Sequence, residues 1–290
     1  MRRAHGACAA RRTCRPRTDG ARFVQHSGGG EIGEPAQIGV RLDAQVAHVT
    51  IRNPGKLNTL NRALMDQFVS TISELSRNDE LRAVVLTGEG DRAFIGGADI
   101  AEMAQLDTTS ARDFITGLHE CCAALRDLPV PAIARIAGYT LGAGLEVAAA
   151  CDLRVASDTS RFGMPEVKVG IPSVIEAALL PSLIGWGRTR QMLLLGETID
   201  AQEAAAWGLI EKVVPLADLD HAVEEWIASI LEAGASAVRL QKKLIRQWED
   251  LPLSAAIDAG IDAFEAAFES SGPRVKMNQF LSRRKATPNS

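Results

Sequence analysis

The stretch "GYTLGAGLEVAAACD" (138–152) places a carboxylate, Glu146, two residues after Gly144 in a glycine turn that opens an apolar run. Glycine-rich turns that begin helices leave main-chain N–H groups unpaired and aimed at a ligand. A dinucleotide phosphate is one such ligand, and Gly142 with Gly144 supplies the first half of GxGxxG. Val147, however, stands where that motif needs Gly or Ala, and the run to Cys151 and Asp152 is too short for a crossover helix. A pyrophosphate would also meet the Glu146 carboxylate, a repulsion of about 4 kcal/mol at about 4 Å and an effective dielectric of about 20. The dinucleotide reading fails. A developing oxyanion suits the same amides, and the carboxylate then gains a use: it moves a proton on the carbon skeleton whose carbonyl the amides polarise. On this turn alone, a helix-start glutamate that merely favours the dipole is an equal alternative.

Two further stretches tip the balance. "AFIGGADIAEM" (93–103) holds a second glycine turn, Gly96-Gly97-Ala98, that also leads into a helical pattern. "RFGMPEVKVGIP" (161–172) sets Glu166 directly after Pro165, whose fixed φ and missing N–H stiffen the backbone. Each feature follows a strand-like segment. Two amide turns and two carboxylates make an acid–base site around a polarised carbonyl.

The elements that must position these residues read as α/β. "AHVTIRNP" (47–54) alternates apolar and polar residues up to Pro54, as a half-buried strand does. Leu60, Leu64, Phe68, Ile72 and Leu75 recur at helical spacing. "AVVLTGEG" (83–90), "VPAIARIAG" (130–138) and "LRVAS" (153–157) are short apolar runs, as buried strands are. In "DAQEAAAWG", Asp200 is the expected N-cap, Glu203 completes a capping box and Gly208 is the stop. "LIEKVVP" reads as a last strand, and from Ala217 the pattern is helical. The expected organisation is an arginine-rich arm and glycine-rich linker over 1–37, an α/β core over 38–215 and a helical region over 216–290.

Composition sets the limits. Over 290 residues, 46% are hydrophobic and 23% charged, as in a soluble globular protein with a substantial core. No apolar run is long enough to span a bilayer. The five cysteines, Cys8, Cys14, Cys121, Cys122 and Cys151, show no metal-ligand spacing, and their odd number argues against a disulfide framework and for a reducing compartment. Cys121 and Cys122 are expected to pack in the core. His48 and His119 have no ligand-spaced partners and are read as structural. Residues 1–22 carry seven arginines and a single acid, Asp19, without an apolar signal core. That segment is open to three readings: a transit peptide, a nucleic-acid arm, or a tail added by an upstream start. The expected location is cytoplasmic, or the mitochondrial matrix for a transit peptide.

Taken together, "NPGKLNTLN", "AFIGGADI", "GYTLGAGLEVAAACD" and "FGMPEVKVGIP" resemble the enoyl-CoA hydratase/isomerase (crotonase) superfamily, from about Ile38 to about Arg284. The resemblance implies a spiral of ββα units with a helical C-terminal region that packs between subunits, as a trimer or a dimer of trimers. It implies that the backbone N–H groups of Ala98 and Ala143 form an oxyanion hole for the thioester carbonyl of an acyl-CoA. Glu146 and Glu166 match the two catalytic glutamates, Glu146 mainly for water and Glu166 mainly for the proton at C2. Lys56, Leu57, Asp99 and Ile100 match segments that hold the CoA moiety. Coenzyme A belongs to the substrate, so neither a separate cofactor nor a metal is expected. Two positions depart from the pattern. Ala143 replaces a usual glycine, and "GIPSVIEAALLP" (170–181) replaces a glycine-rich stretch with bulkier residues, among them Glu176. Glu176 is expected in a solvated or helix-face role.

Hydration of trans-2-enoyl-CoA to 3-hydroxyacyl-CoA is the leading function. A Δ3,Δ2-enoyl-CoA isomerase needs only one base, so two glutamates favour hydration over isomerisation, and over hydrolysis or decarboxylation of CoA esters. The alternative from another class is a nucleic-acid-binding or scaffolding protein that works through the arginine-rich arm; such binding should weaken steeply with salt and vanish when residues 1–30 are deleted, which hydratase activity should survive.

Overall fold

The hairpin of β1 (Gln37–Asp43) and β2 (Val46–Arg52) opens the fold and leads into α1 (Arg62–Ser76). The computed structural model describes residues 36–286. The arginine-rich arm, the readings attached to it, Cys8 and Cys14 lie outside them. Next come β3 (Ala83–Gly88), β4 (Ala93–Ile95), α2 (Ile100–Met103) and α3 (Thr108–Arg126). They are followed by β5 (Ala132–Ile136), β6 (Tyr139–Leu141) and α4 (Ala143–Ala150), then β7 (Leu153–Ser157), β8 (Arg161–Gly163) and α5 (Leu180–Leu195). The core ends with β9 (Thr198–Asp200), α6 (Ala201–Trp207) and β10 (Lys212–Val214). Everything described after β10 is helical: α7 (Leu219–Glu232), α8 (Ala235–Trp248), α9 (Leu253–Ala267) and α10 (Gly272–Ala286), entered through a short 3-10 turn.

The strands sort into two sheets. One has six strands in the order β1-β2-β3-β5-β7-β10, parallel except for the β1 hairpin. The other has four three-residue strands in the order β4-β6-β8-β9, of which β4, β6 and β8 run parallel. Each successive pair (β3 and β4, β5 and β6, β7 and β8) gives its first strand to the large sheet and its second to the small one. Helical segments follow each pair. This is the ββα spiral that the sequence resemblance implies.

The apolar periodicities fall where burial needs them. Leu60, Leu64, Phe68, Ile72 and Leu75 are all buried, and Asn61 caps α1 by accepting from the Leu64 amide at 2.9 Å. Ala83 to Leu86 of β3 are buried on both faces, which explains the unbroken apolar run. Cys121, Cys122 and Cys151 are buried among these residues, as expected for packing cysteines, and burial pushes the Cys121 and Cys151 thiols up to about 12. One local expectation is corrected. Asp200 caps α6 by accepting from the Glu203 amide at 2.8 Å, but the return bond of a capping box does not form, because Asp200 is also the last residue of β9 and is held by its register with Arg161.

The helical region is tied to the core at two places. Leu219, Ala222 and Val223 of α7 pack on Val85, Ile133 and Val155. Lys242 of α8 is buried and bonds Asp152 at 2.7 Å and the carbonyls of Leu125 and Val130 at 3.0 and 2.9 Å, while Asp152 also accepts from the Ala132 amide. Among the described residues no helix is long and apolar enough to cross a membrane.

Candidate active site

The small sheet delivers the site. β4, β6 and β8 lie side by side and parallel, with Ile95 opposite Thr140 and Leu141 opposite Gly163, so their carboxyl ends share one edge. The chain leaves β4 through Gly96-Gly97-Ala98, β6 through Gly142-Ala143 and β8 through Met164-Pro165 into Glu166. The turn at Gly142 therefore follows β6, not directly the 130–138 strand that the apolar pattern suggested. Gly144 seats α4 against the end of β4, since a Cβ there would lie 2.0 Å from the Ile95 carbonyl oxygen. Backbone cannot yield to that overlap. Gly144→Ala is expected to destabilise the fold by about 3 kcal/mol or more, read as the urea midpoint; a native midpoint would mean that the two turns are not packed this closely.

Two amides at this edge are without acceptors. Leu60 accepts from the Asp99 amide at 2.8 Å and donates to the Gly97 carbonyl at 2.9 Å, bridging around Ala98 and leaving the Ala98 N–H out of the ladder. Ala143 is the first residue of α4, where no intrahelical acceptor exists. Around it, Gly142 donates to Gly163, and Leu145 and Glu146 both donate to Gly142. A shielded amide without a partner costs about 1–3 kcal/mol. Ala98 and Ala143 line the same cavity, of about 740 Å³, and that cavity also contains Glu146 and Glu166.

The two carboxyls are held differently. α4 is buried along its whole length, and Glu146 is only 4% exposed. Its Oε1 accepts from the Ala177 amide at 3.2 Å. Burial, then the negative charge of Glu166, push Glu146 up to about 8, against the pull of the Ala177 bond and with a further push from Glu176. Glu166 is half-buried at the start of a 3-10 turn, and its Oε2 accepts from the Ser173 hydroxyl at 2.8 Å. Its Oε1 lies so close over Gly142 that a Cβ there would be 2.3 Å away. The rest of the wall is mostly apolar, with Met103, Leu106, Phe114, Ile115, Ile171 and Val174, but Thr108, Arg112 and Thr116 also line it.

The structure thus brings Ala98, Ile100, Ala143, Glu146 and Glu166 to one cavity. Lys56, Leu57 and Asp99 stand behind the first turn instead. The Leu57 carbonyl accepts from Gly96 at 2.8 Å; Lys56 pairs with Asp99 at 2.7 Å; and Asp99 caps α2 through the Ala101 amide at 2.9 Å. The Lys56 ammonium, the largest influence, holds the Asp99 carboxyl below its ordinary range.

Glu176 corrects the reading of a solvated or helix-face residue. It is buried at 4% exposure, because the 3-10 turn Ile175–Leu179 folds back over α4. His119 is its partner, Nδ1 to Oε1 at 2.9 Å. Sequence reasoning also missed Ser173 and the Ala177 amide. Neither has a spacing rule: both reach the carboxyls through the irregular segment after Pro172.

Main-chain donors at the carboxyl ends of parallel strands, facing a mostly apolar cavity with two carboxyls, define a site for moving protons beside an anchored carbonyl. The chain belongs to the enoyl-CoA hydratase/isomerase family, whose model matches residues 41–289. Among similar proteins, the short-chain-enoyl-CoA hydratase of Clostridium acetobutylicum is 34% identical over 244 residues, covering 84% of this chain and 94% of that protein. The crotonyl-CoA hydratase of Syntrophomonas wolfei is 32% identical over 245 residues, covering 84% and 94%. The solved structure of an enoyl-CoA hydratase from Bacillus anthracis superposes with a TM-score of 0.82 at 29% identity, covering 85% of this chain and 96% of that one.

Proposed function

We propose that the protein adds water across the C2=C3 bond of trans-2-enoyl-CoA thioesters to give 3-hydroxyacyl-CoA. The observation that carries this reading is the meeting of two acceptor-free amides and two carboxyls in one cavity. The Ala98 and Ala143 amides hold the thioester oxygen, which gains charge as C3 is attacked; losing one such donor typically costs about 3 kcal/mol. The acyl chain runs along Met103, Leu106, Phe114 and Ile115. Lys56, Leu57, Asp99 and Ile100 support the CoA portion, Leu57 and Asp99 by fixing the backbone that CoA meets.

The carboxyls act as a pair in which burial and the charge of Glu166 raise Glu146 to about 8. At rest the proton is on Glu146, the more deeply buried member. A water between the two passes it to Glu166, which leaves Glu146 as base and Glu166 as acid. Glu146 then takes a proton from the attacking water as oxygen bonds to C3, and Glu166 gives its proton to C2. One O–H bond of water breaks, C3–O and C2–H form, and the pair returns to its resting state. Isomerisation would leave Glu146 or Glu166 without a task.

Purified protein is expected to bleach the conjugated enone absorbance of crotonyl-CoA and to yield 3-hydroxybutyryl-CoA. A purified protein that shifts the double bond of a 3-enoyl-CoA but never consumes crotonyl-CoA would replace hydration by isomerisation. We further propose self-assembly, as a trimer or a dimer of trimers, through α9. Leu253, Ile257, Ile261 and Phe264 are exposed there at helical spacing, more apolar surface than a solvated helix needs. A monomeric mass by sedimentation would remove that reading.

A further inference from the structure

We propose that Glu176 is a positioning residue for Glu146, clamped by His119 and Arg126 so that the turn it occupies presents its next amide to the catalytic carboxyl. The inference rests on the role given to Glu146 above and concerns what keeps that carboxyl oriented. Glu176 is buried, with Oε1 2.9 Å from His119 Nδ1 and 3.9 Å from the Arg126 guanidinium. Both partners are on α3, seven residues apart and so on one face. Arg126 is itself anchored by Glu249 at 2.6 Å. The other carboxylate oxygen, Oε2, is buried without a partner. A carboxylate so incompletely satisfied is costly to bury and weak as a stabilising device.

Its local consequence lies one residue on, where the Ala177 amide donates to Glu146 Oε1 at 3.2 Å. One residue earlier, Ile175 sits at φ 39, a conformation that a β-branched residue avoids unless its surroundings hold it there. The clamp to α3 is that hold. The groups facing the Glu146–Glu176 pair are Glu166 from the turn after β8, and Cys122, His119 and Arg126 from α3. Glu176 thus acts on Glu146 twice, through the amide that orients it and through a negative charge that favours its resting proton.

Two variants test this. Glu176→Gln keeps the shape but removes the charge. It should lower kcat about tenfold with KM for crotonyl-CoA within about twofold, and move the alkaline limb of the pH profile down by about half a pH unit. His119→Ala opens the clamp from its half-exposed side, where the fold should tolerate it, and should lower kcat to a similar extent. A native pH profile in Glu176→Gln, or native kcat in His119→Ala, would overturn the proposal. Carbon-13 titration of the Glu146 carboxyl, assigned by its loss in Glu146→Gln, reads the same interaction without turnover. In His119→Ala, where Glu176 keeps its charge, a higher midpoint marks loosening of the Ala177 amide and supports the clamp even if no enoyl-CoA is hydrated, and an unchanged one rejects it.

Discussion

Glu146→Gln should reduce kcat for crotonyl-CoA by about 10³-fold, within the usual range for removing a general acid–base group, with KM within about twofold. The same variant should be more stable than the native protein at pH 8. Both effects come from burial. The folded protein holds the Glu146 proton up to about pH 8, against an ordinary value of 4.5. Between those limits the folded state binds the extra proton, so stability is greatest below about 4.5, declines as pH rises and levels off above about 8. The gap corresponds to an upper bound of about 4–5 kcal/mol. Glutamine mimics the protonated carboxyl and keeps an oxygen for the Ala177 amide. Its melting temperature should match the native one near pH 4 and exceed it by about 5–10 °C at pH 8. The native kcat should also fall above about pH 8, where Glu146 loses its proton. Equal melting temperatures at pH 8 would mean that Glu146 is not buried as a neutral acid.

Gly142→Ala is expected to lower kcat about 10²-fold or more while leaving a folded protein. The new methyl would overlap Glu166 Oε1, the far end of a side chain, so the carboxylate moves and the backbone need not. Displacing it breaks its bond from Ser173 and takes the acid away from C2. Gly142 also has φ 52 with ψ −121, a glycine conformation that strains an alanine as well. The decisive measurement is a double-mutant cycle with Glu166→Gln. If alanine acts by moving Glu166, the double variant should lose little more than Glu166→Gln alone. Losses that multiply would place the damage at the Ala143 amide instead.

Most of the large sheet was legible in the sequence from short, largely apolar runs such as "AVVL" and "LRVAS", whereas its edge strand β1, mostly exposed, was not. α1 was legible through five apolar residues at one spacing. The small sheet was not. Its strands have three residues each, too few for a period, and they abut glycine turns that mask them as loops. Yet that sheet aligns Ala98, Ala143 and Glu166, so the ingredients of the site were visible before the frame that assembles them. Glu146 was identified by its place in a turn where phosphate would be repelled. Ser173 and Glu176 were beyond sequence reasoning for a physical reason: they act from irregular backbone, where contact is set by tertiary folding and not by spacing.

Cys122 bears on a hazard of the proposed chemistry. An enoyl thioester is a Michael acceptor, and any thiolate within reach would be alkylated by it. Cys122 of α3 is fully buried and does not line the cavity, though it feels the charges of Glu176 and Glu146; burial and those charges hold its thiol well above the ordinary range. The nucleophilic form is therefore scarce at working pH. The desolvation that keeps a proton on Glu146 also protects the enzyme from its own electrophilic substrate.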